Sequence, residues 1–135
     1  MKNFILFTAL LLGFPFASVT HAEIKADVIP PVVIKTFPEA GADNIPPGNV
    51  EIRVTFSKPM KEGCATIAPV NRRIVPEIIS PARLEPDGIT YVLAVKLRPN
   101  TTYGLWVNGP KSGYFQDLNG IYALPYQFVF KTKAR

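Results

Sequence analysis

Apolar and polar side chains alternate along several short stretches of this chain, which is the pattern of half-buried β-strands. The clearest alternation runs over residues 50–56, 91–97 and 126–131. One face of each strand is expected to be buried, and the side chains of that face are Val50, Ile52, Val54, Phe56, Tyr91, Leu93, Val95, Leu97, Tyr126, Phe128 and Phe130. No stretch combines a helical period with capping residues, so the chain is predicted to be all-β.

Weaker strand signals lie before and between these stretches. Residues 32–37 and 102–107 are further candidates, and in the second of them Trp106 points away from the apolar face. Pro76 interrupts residues 73–79 and reduces them to an edge strand or two short pieces. About seven short strands, joined by turns roughly every eight to twelve residues, predict an Ig-like β-sandwich with Greek-key topology.

Several segments, in their order along the chain, resemble the bacterial Ig-like domains of S-layer and other cell-surface proteins. They are PPVVIKTFPEAGADNIPPGNVEIRVTFSKPM, LEPDGITYVLAVKLRPNTTYGLWV, QDLNG and LPYQFVFKT, and they cover nearly all of residues 30–132. The resemblance implies the same sandwich fold and a bacterial source. Domains of this family serve as spacers, adhesive modules and enzyme appendages, so the resemblance leaves the function open.

The first residues have the three-part layout of a secretory signal peptide. Lys2 supplies the positive start, an apolar run covers residues 4–16, and small and polar side chains follow. The run is shorter than the roughly 20 apolar residues that span a bilayer. We therefore expect a cleaved signal peptide at residues 1–22, an extended lead-in at 23–31 and one Ig-like domain at 32–135. The product would be exported to the periplasm or the cell exterior, without a membrane span.

The charge of the chain is positive but dispersed. The formal net charge is +5, and it becomes +4 when Lys2 is removed with the signal peptide. Only Arg72, Arg73 and the C-terminal KTKAR segment form clusters. The chain therefore lacks the dense basic stripe that nucleic-acid binding needs, while the excess weakly favours acidic partners or anionic envelope surfaces.

The predicted mature chain lacks the residue patterns of catalytic and metal sites. The single histidine, His21, lies in the predicted signal peptide, which leaves no histidine for a catalytic triad or a metal site. Cys64 is the only cysteine, and its thiol is either an intermolecular bridge or a small, partly buried apolar group. The DLNG segment at residues 117–120 is better explained as a β-turn than as a calcium loop. We expect a protein that is not an enzyme and that binds no cofactor.

The candidate binding surface is aromatic. If the strands at 102–107 and 126–131 pair, Trp106 and Val129 lie together on an outward face. Trp and Tyr are the residues most enriched in binding hot spots. A nearby loop adds the aromatic side chains Tyr114, Phe115 and Tyr122. The alternative is that the loop at residues 111–124 folds over Trp106 and buries it.

The sequence also predicts roles for two residues near Trp106, Gly104 and Tyr103. Gly104 has no side chain and is expected to leave room for a ligand or a backbone to approach closely. Tyr103 follows the RPNT turn. It is either a tyrosine corner, whose hydroxyl bonds to an upstream backbone group, or an ordinary core tyrosine.

These features support two functions. The first is an exported, non-catalytic module of the cell envelope that binds an envelope protein or glycan of unknown identity. The alternative is a self-assembling structural envelope protein, joined through sheet edges or a Cys64 bridge. The chain is expected to be a monomer or a weak homo-oligomer, with no nucleic-acid partner.

Overall fold

Two antiparallel β-sheets make up the fold in the computed structural model, which describes residues 18, 20–111 and 113–135. A short 3₁₀ helix, Ala26–Val28, precedes the first strand. Within the described residues the strands are β1 (Val33–Phe37), β2 (Gly48–Phe56), β3 (Ile67–Pro69), β4 (Glu77–Ile78), β5 (Arg83–Leu84), β6 (Thr90–Leu97), β7 (Thr102–Val107) and β8 (Tyr126–Lys131). The expected signal peptide at residues 1–22 lies almost entirely outside the described residues.

The strand order is that of an Ig-like sandwich. One sheet has the order β1-β2-β6, with β4 and β5 both paired to the far side of β6, and the other has the order β3-β7-β8. The chain therefore crosses between the sheets after β2, β3 and β6, as in the Greek-key arrangement of immunoglobulin domains. The predicted fold class is confirmed, although eight strands replace the expected seven or so.

The extra strand comes from an edge strand that is divided in two. Both β4 and β5 pair with β6, Glu77 opposite Lys96 and Arg83 opposite Val92. Proline lacks the N–H that a sheet ladder needs, and Pro81 lies between the two pieces. The prediction of an edge strand within residues 73–79 holds for β4, whereas β5 lies beyond that range and is separated from β4 by Pro81.

The buried core lies between the two sheets and follows the alternation of the sequence. The core side chains of the four long strands are Ile52, Val54, Phe56, Tyr91, Leu93, Val95, Leu97, Tyr103, Leu105, Val107, Phe128 and Phe130, each at most 7% exposed. Val50 and Tyr126 are partly buried against this cluster. The prediction of which face of each strand points inward is confirmed.

The segment at residues 41–45 closes the outer edge of β8. The Gly41 N–H donates to the carbonyl of Val129 at 2.7 Å, and the Lys131 N–H donates to the carbonyl of Ala42 at 2.7 Å. Ile45 forms a parallel bridge with Thr132 and is itself buried. The chain thus leaves β1 in one sheet and lines the last strand of the other, so β8 has no free edge there.

Candidate functional site

Trp106 and Val129 lie on the outward face of the three-stranded sheet. In the β7–β8 register Trp106 is opposite Gln127 and Gly104 is opposite Val129. Val129 is 43% exposed, and Trp106 is partly exposed. Strand pairing therefore brings the two predicted side chains to one surface, as the alternation along both strands required.

Another part of the chain fills the space at Gly104, so of the two expected alternatives the close approach of a backbone is observed and the room for a ligand is not. The Val70 N–H donates to the carbonyl of Gly104 at 2.8 Å. A Cβ atom added at Gly104 would lie 3.2 Å from Cβ of Val70. A side chain at this position would have to displace Val70, because the chain that continues from β3 lies beside β7 here.

The accessible space on this face is a groove beside Trp106, not a space at Gly104. It has a volume of about 560 Å³ and lies between β3 and the loop that follows β7. The residues that line it with Trp106 are Ala68, Pro69, Arg72, Gly109, Pro110 and Lys111. Two cationic side chains, Arg72 and Lys111, therefore accompany one indole ring at an accessible concave surface.

Sequence reasoning did not assign Arg72 or Lys111 to this site. In the sequence, Arg72 is one half of the basic pair Arg72-Arg73, and Lys111 is an isolated charge in a predicted loop. Their placement depends on how the β3–β4 and β7–β8 connections fold back over the sheet. Alternation along strands carries no information about that geometry.

Phe115 is buried in the core and is not part of the surface, which corrects the expectation for this residue. Its ring centroid lies 5.1 Å from that of Phe56 and 5.1 Å from that of Tyr91. Asn108 fixes the segment, because its Oδ1 accepts the Phe115 N–H at 3.0 Å and its Nδ2 donates to the carbonyl of Ala123. The loop thus inserts Phe115 between the sheets instead of covering Trp106.

The two tyrosines of this loop are exposed but lie away from the Trp106 groove. Tyr114 is 58% exposed and Tyr122 is 54% exposed. Tyr122 bridges to Gln116, whose carbonyl accepts the Lys61 N–H at 2.8 Å. Neither tyrosine lines the groove, so the structure does not unite the predicted aromatic residues into one patch.

Asp117, in the DLNG turn, is a buried carboxylate with several partners. Its Oδ1 accepts the N–H groups of Asn119 and Ile121, each at 2.9 Å, and its Oδ2 lies 2.8 Å from Nζ of Lys58. Burial raises the pKa of Asp117, but the bonds from Lys58, Ile121 and Asn119 together lower the pKa below its ordinary value. Lys58 also donates to the carbonyl of Ile29 at 2.9 Å.

These contacts give Asp117 a structural role in the β-turn.

No group of three or more His, Cys, Asp or Glu side chains that could hold a metal ion occurs among the described residues. No helix in that part of the chain is long and apolar enough to cross a membrane. Cys64 is half-buried with a free thiol, and its part in an intermolecular bridge stays a prediction.

Tyr103 forms the tyrosine corner. Its buried hydroxyl accepts the Arg98 N–H at 2.8 Å, and the hydroxyl of Thr132 donates to the carbonyl of Arg98 at 2.6 Å. Both main-chain polar groups of Arg98 are therefore held by side chains from the opposite sheet. This fixes the turn that leads from β6 to β7.

Comparison with known proteins places these observations in a family. A model of the bacterial Ig-like domain matches residues 27–132. The chain is similar to a crystal structure of the S-layer protein SbsC, with 17% identity and a TM-score of 0.51 over 78% of this chain and 14% of that chain. A structure of SbsC domains 1–6 matches with 16% identity and a TM-score of 0.51, over 77% of this chain and 14% of that chain. No curated protein matches the sequence. The likeness to these structures concerns the fold, and the chain spans only a small part of each.

Proposed function

Because this chain belongs to the bacterial Ig-like domain family, we propose that it is an exported, non-catalytic binding module of the cell envelope. Its partner is an envelope protein or glycan, and the contact surface is the groove beside Trp106. The proposal combines the family, the signal-like first residues and the geometry of one outward sheet face. Export is to the periplasm or the cell exterior.

The observation that carries the proposal is the placement of Trp106 on an accessible concave surface. Trp106 is partly exposed and lines a groove of about 560 Å³, whereas the exposed rings of Tyr114 and Tyr122 line no part of it. Pockets of roughly 300–1,000 Å³, mostly apolar with a few polar groups, are typical ligand sites. Arg is enriched in binding hot spots together with Trp and Tyr, and the groove offers Arg72 beside the indole.

Export itself is tested by the mass of the protein recovered from the envelope fraction. The proposal expects cleavage after Ala22, so that the mature chain begins at Glu23. An intact chain that still carries Met1 in the cytoplasmic fraction would contradict it.

Trp106 is the only tryptophan in the sequence, so its fluorescence reports directly on the groove. We expect titration with purified cell-wall glycans or envelope proteins to shift the Trp106 emission to shorter wavelength in a saturable way. Arg72→Gln keeps the fluorophore and should weaken binding about tenfold, since a hydrogen bond to a charged group contributes roughly 1.5–3 kcal/mol.

The matched control is Arg83→Gln, which removes the same charge from the other sheet, where Arg83 pairs with Glu51 and Glu85. It should bind like the unmodified protein. A partner that binds with unchanged affinity to both the Trp106→Ala and the Arg72→Gln variants would place the binding surface elsewhere and refute the proposal.

A second candidate function, self-assembly into a structural layer, is favoured by the edge strand β1. This strand has a partner on one side only, and Ile34 and Phe37 on it are 61% and 46% exposed. An exposed apolar edge strand is a template for pairing with another chain. Sedimentation with and without reductant tests this function and the Cys64 bridge together. A strict monomer at high concentration in both conditions would eliminate it, whereas Ile34→Lys should dissolve any assembly formed through β1.

A further inference from the structure

A second groove lies at the end of β6, and its chemistry differs from that of the Trp106 groove. Its volume is about 610 Å³. The charged residues that line it are Arg73, Glu77, Lys96, Arg98 and Arg135. The rest of the lining is two aliphatic side chains, two prolines and a glycine. Four cationic side chains therefore share one concave surface with a single acidic side chain.

The cations of this groove have no partners of their own. In the described part of the chain, ion pairs form at Arg53, Lys58 and Arg83, which meet carboxylates at distances of 2.7–3.2 Å. Among the described residues, the side chains of the four groove cations take part in no ion pair and no hydrogen bond. Arg53 and Arg83 are thus paired with Glu51, and Lys58 is paired with Asp117, whereas the groove cations are not paired. This leaves a concentrated positive charge in this groove, where concave walls focus the field.

The backbone that carries two of these cations is fixed before any ligand binds. Lys96 belongs to β6 and Arg98 follows it directly, and both residues line the groove. The N–H and carbonyl of Arg98 are bonded to Tyr103 and Thr132. Lys96 lies opposite Glu77 in the β4–β6 register. A charged surface on a fixed backbone loses less entropy on binding than one on a mobile loop.

We propose that this groove binds a linear acidic polysaccharide through the carboxylate or phosphate groups along its chain. Arginine and lysine are the side chains that pair with these groups. A linear polymer can enter the concave groove, whereas the flat surface of a bilayer can contact only the rim of the groove. None of the groove's lining residues, all within the described part of the chain, is aromatic, which disfavours the base stacking that single-stranded nucleic acids use.

This site is independent of the function proposed above, because it does not involve Trp106. Arg72 lines the Trp106 groove and Arg73 lines this one, so the connection between β3 and β4 separates the two surfaces. A Trp106→Ala variant should keep its affinity for acidic polymers, and failure of either proposal therefore leaves the other standing.

The test is calorimetric titration of the protein with oligogalacturonate, a carboxylated linear glycan, and with poly(glycerol phosphate). The combined variant Arg73→Gln, Lys96→Gln, Arg98→Gln should lose affinity about tenfold to a hundredfold at low salt, because each exposed charge pair contributes up to about 1 kcal/mol. Binding to unmodified protein should weaken as salt rises.

The matched control removes three exposed lysines from other surfaces, at Lys25, Lys35 and Lys61. This control has the same net charge as the groove variant and should bind within about twofold of the unmodified protein. Equal losses in both variants, or no binding of either polymer by the unmodified protein, would overturn the proposal. Tighter groove-dependent binding to phosphatidylglycerol vesicles than to both polymers would also overturn it, in favour of a membrane surface.

Discussion

At the scale of single residues, Asp117 connects three parts of the chain that are distant in sequence. It orders its own turn through the N–H groups of Asn119 and Ile121, and it pairs with Lys58, which follows β2. Lys58 in turn holds the carbonyl of Ile29 ahead of β1. Because the carboxylate is buried, removing it leaves both a cation and backbone donors without their partner.

Asp117→Ala is therefore expected to lower the free energy of unfolding by about 3 kcal/mol at neutral pH. Asp43→Ala, at an exposed position, is the matched control and should change it by less than about 0.5 kcal/mol. Urea unfolding followed by circular dichroism measures both. Similar values for the two variants would contradict the role assigned to Asp117.

The same carboxylate predicts a pH dependence. Its folded pKa lies below the ordinary value of 3.8, so the unfolded chain binds the proton more readily. The contribution of Asp117 is complete above pH 3.8 and is lost as pH falls through the lower folded pKa. The stability difference between the unmodified protein and Asp117→Ala should narrow over that acidic range. If the stability difference widened on acidification, the pKa of Asp117 would be raised on folding instead of lowered.

Tyr103 carries a second residue-scale prediction. Tyr103→Phe keeps the buried ring and removes only the acceptor of the Arg98 N–H, so we expect a loss of about 1–2 kcal/mol. Tyr122→Phe, on an exposed ring, should be close to neutral. Thermal unfolding of both variants provides the comparison. Equal stability of the two variants would show that the Tyr103 hydroxyl does not stabilise the fold.

At the scale of elements, alternation predicted the long strands well because each buries one continuous face. The strands at residues 102–107 and 126–131 have their predicted bounds. The strands β3 and β5 were not predicted, since two or three residues cannot display a period, and their pairing depends on the neighbouring strands β7 and β6.

The candidate site was predicted less completely for a related reason. Trp106 and Val129 belong to strands, so alternation placed them on a common face, whereas Phe115 lies in a loop without any period. The side chain of Asn108 determines where that loop docks. The basic groove was missed because the sequence analysis treated the positive charge as dispersed. Lys96 and Arg98, two positions apart at the end of a strand, were the available signal.

The closure of β8 by the segment at residues 41–45 makes the element-scale prediction. The amides of Lys131 and Lys133 donate to the carbonyls of Ala42 and Ile45. They should exchange slowly with solvent deuterium, although β8 is the last strand of its sheet. Ile45→Ala removes a buried anchor of the segment, and both amides should then exchange faster. Rapid exchange in the unmodified protein would show that the edge is open.

At the scale of the whole molecule, two sheets bury one set of alternating side chains and present the other set to solvent. The outward face of the three-stranded sheet carries the groove beside Trp106, and the end of β6 carries the basic groove. The adjacent residues Arg72 and Arg73 line different grooves. The single fold thus offers two chemically distinct surfaces, one for each of the two proposals.

The accessibility of Trp106 in the protein without any partner tests this account most directly, because it is the one tryptophan in the chain. We predict that acrylamide quenches its fluorescence with a slope between that of a free indole and that of a core residue. The emission should also shift when a partner fills the groove. An emission typical of an apolar interior, with no quenching, would mean that the indole is covered and that this face of the sheet is not a binding surface.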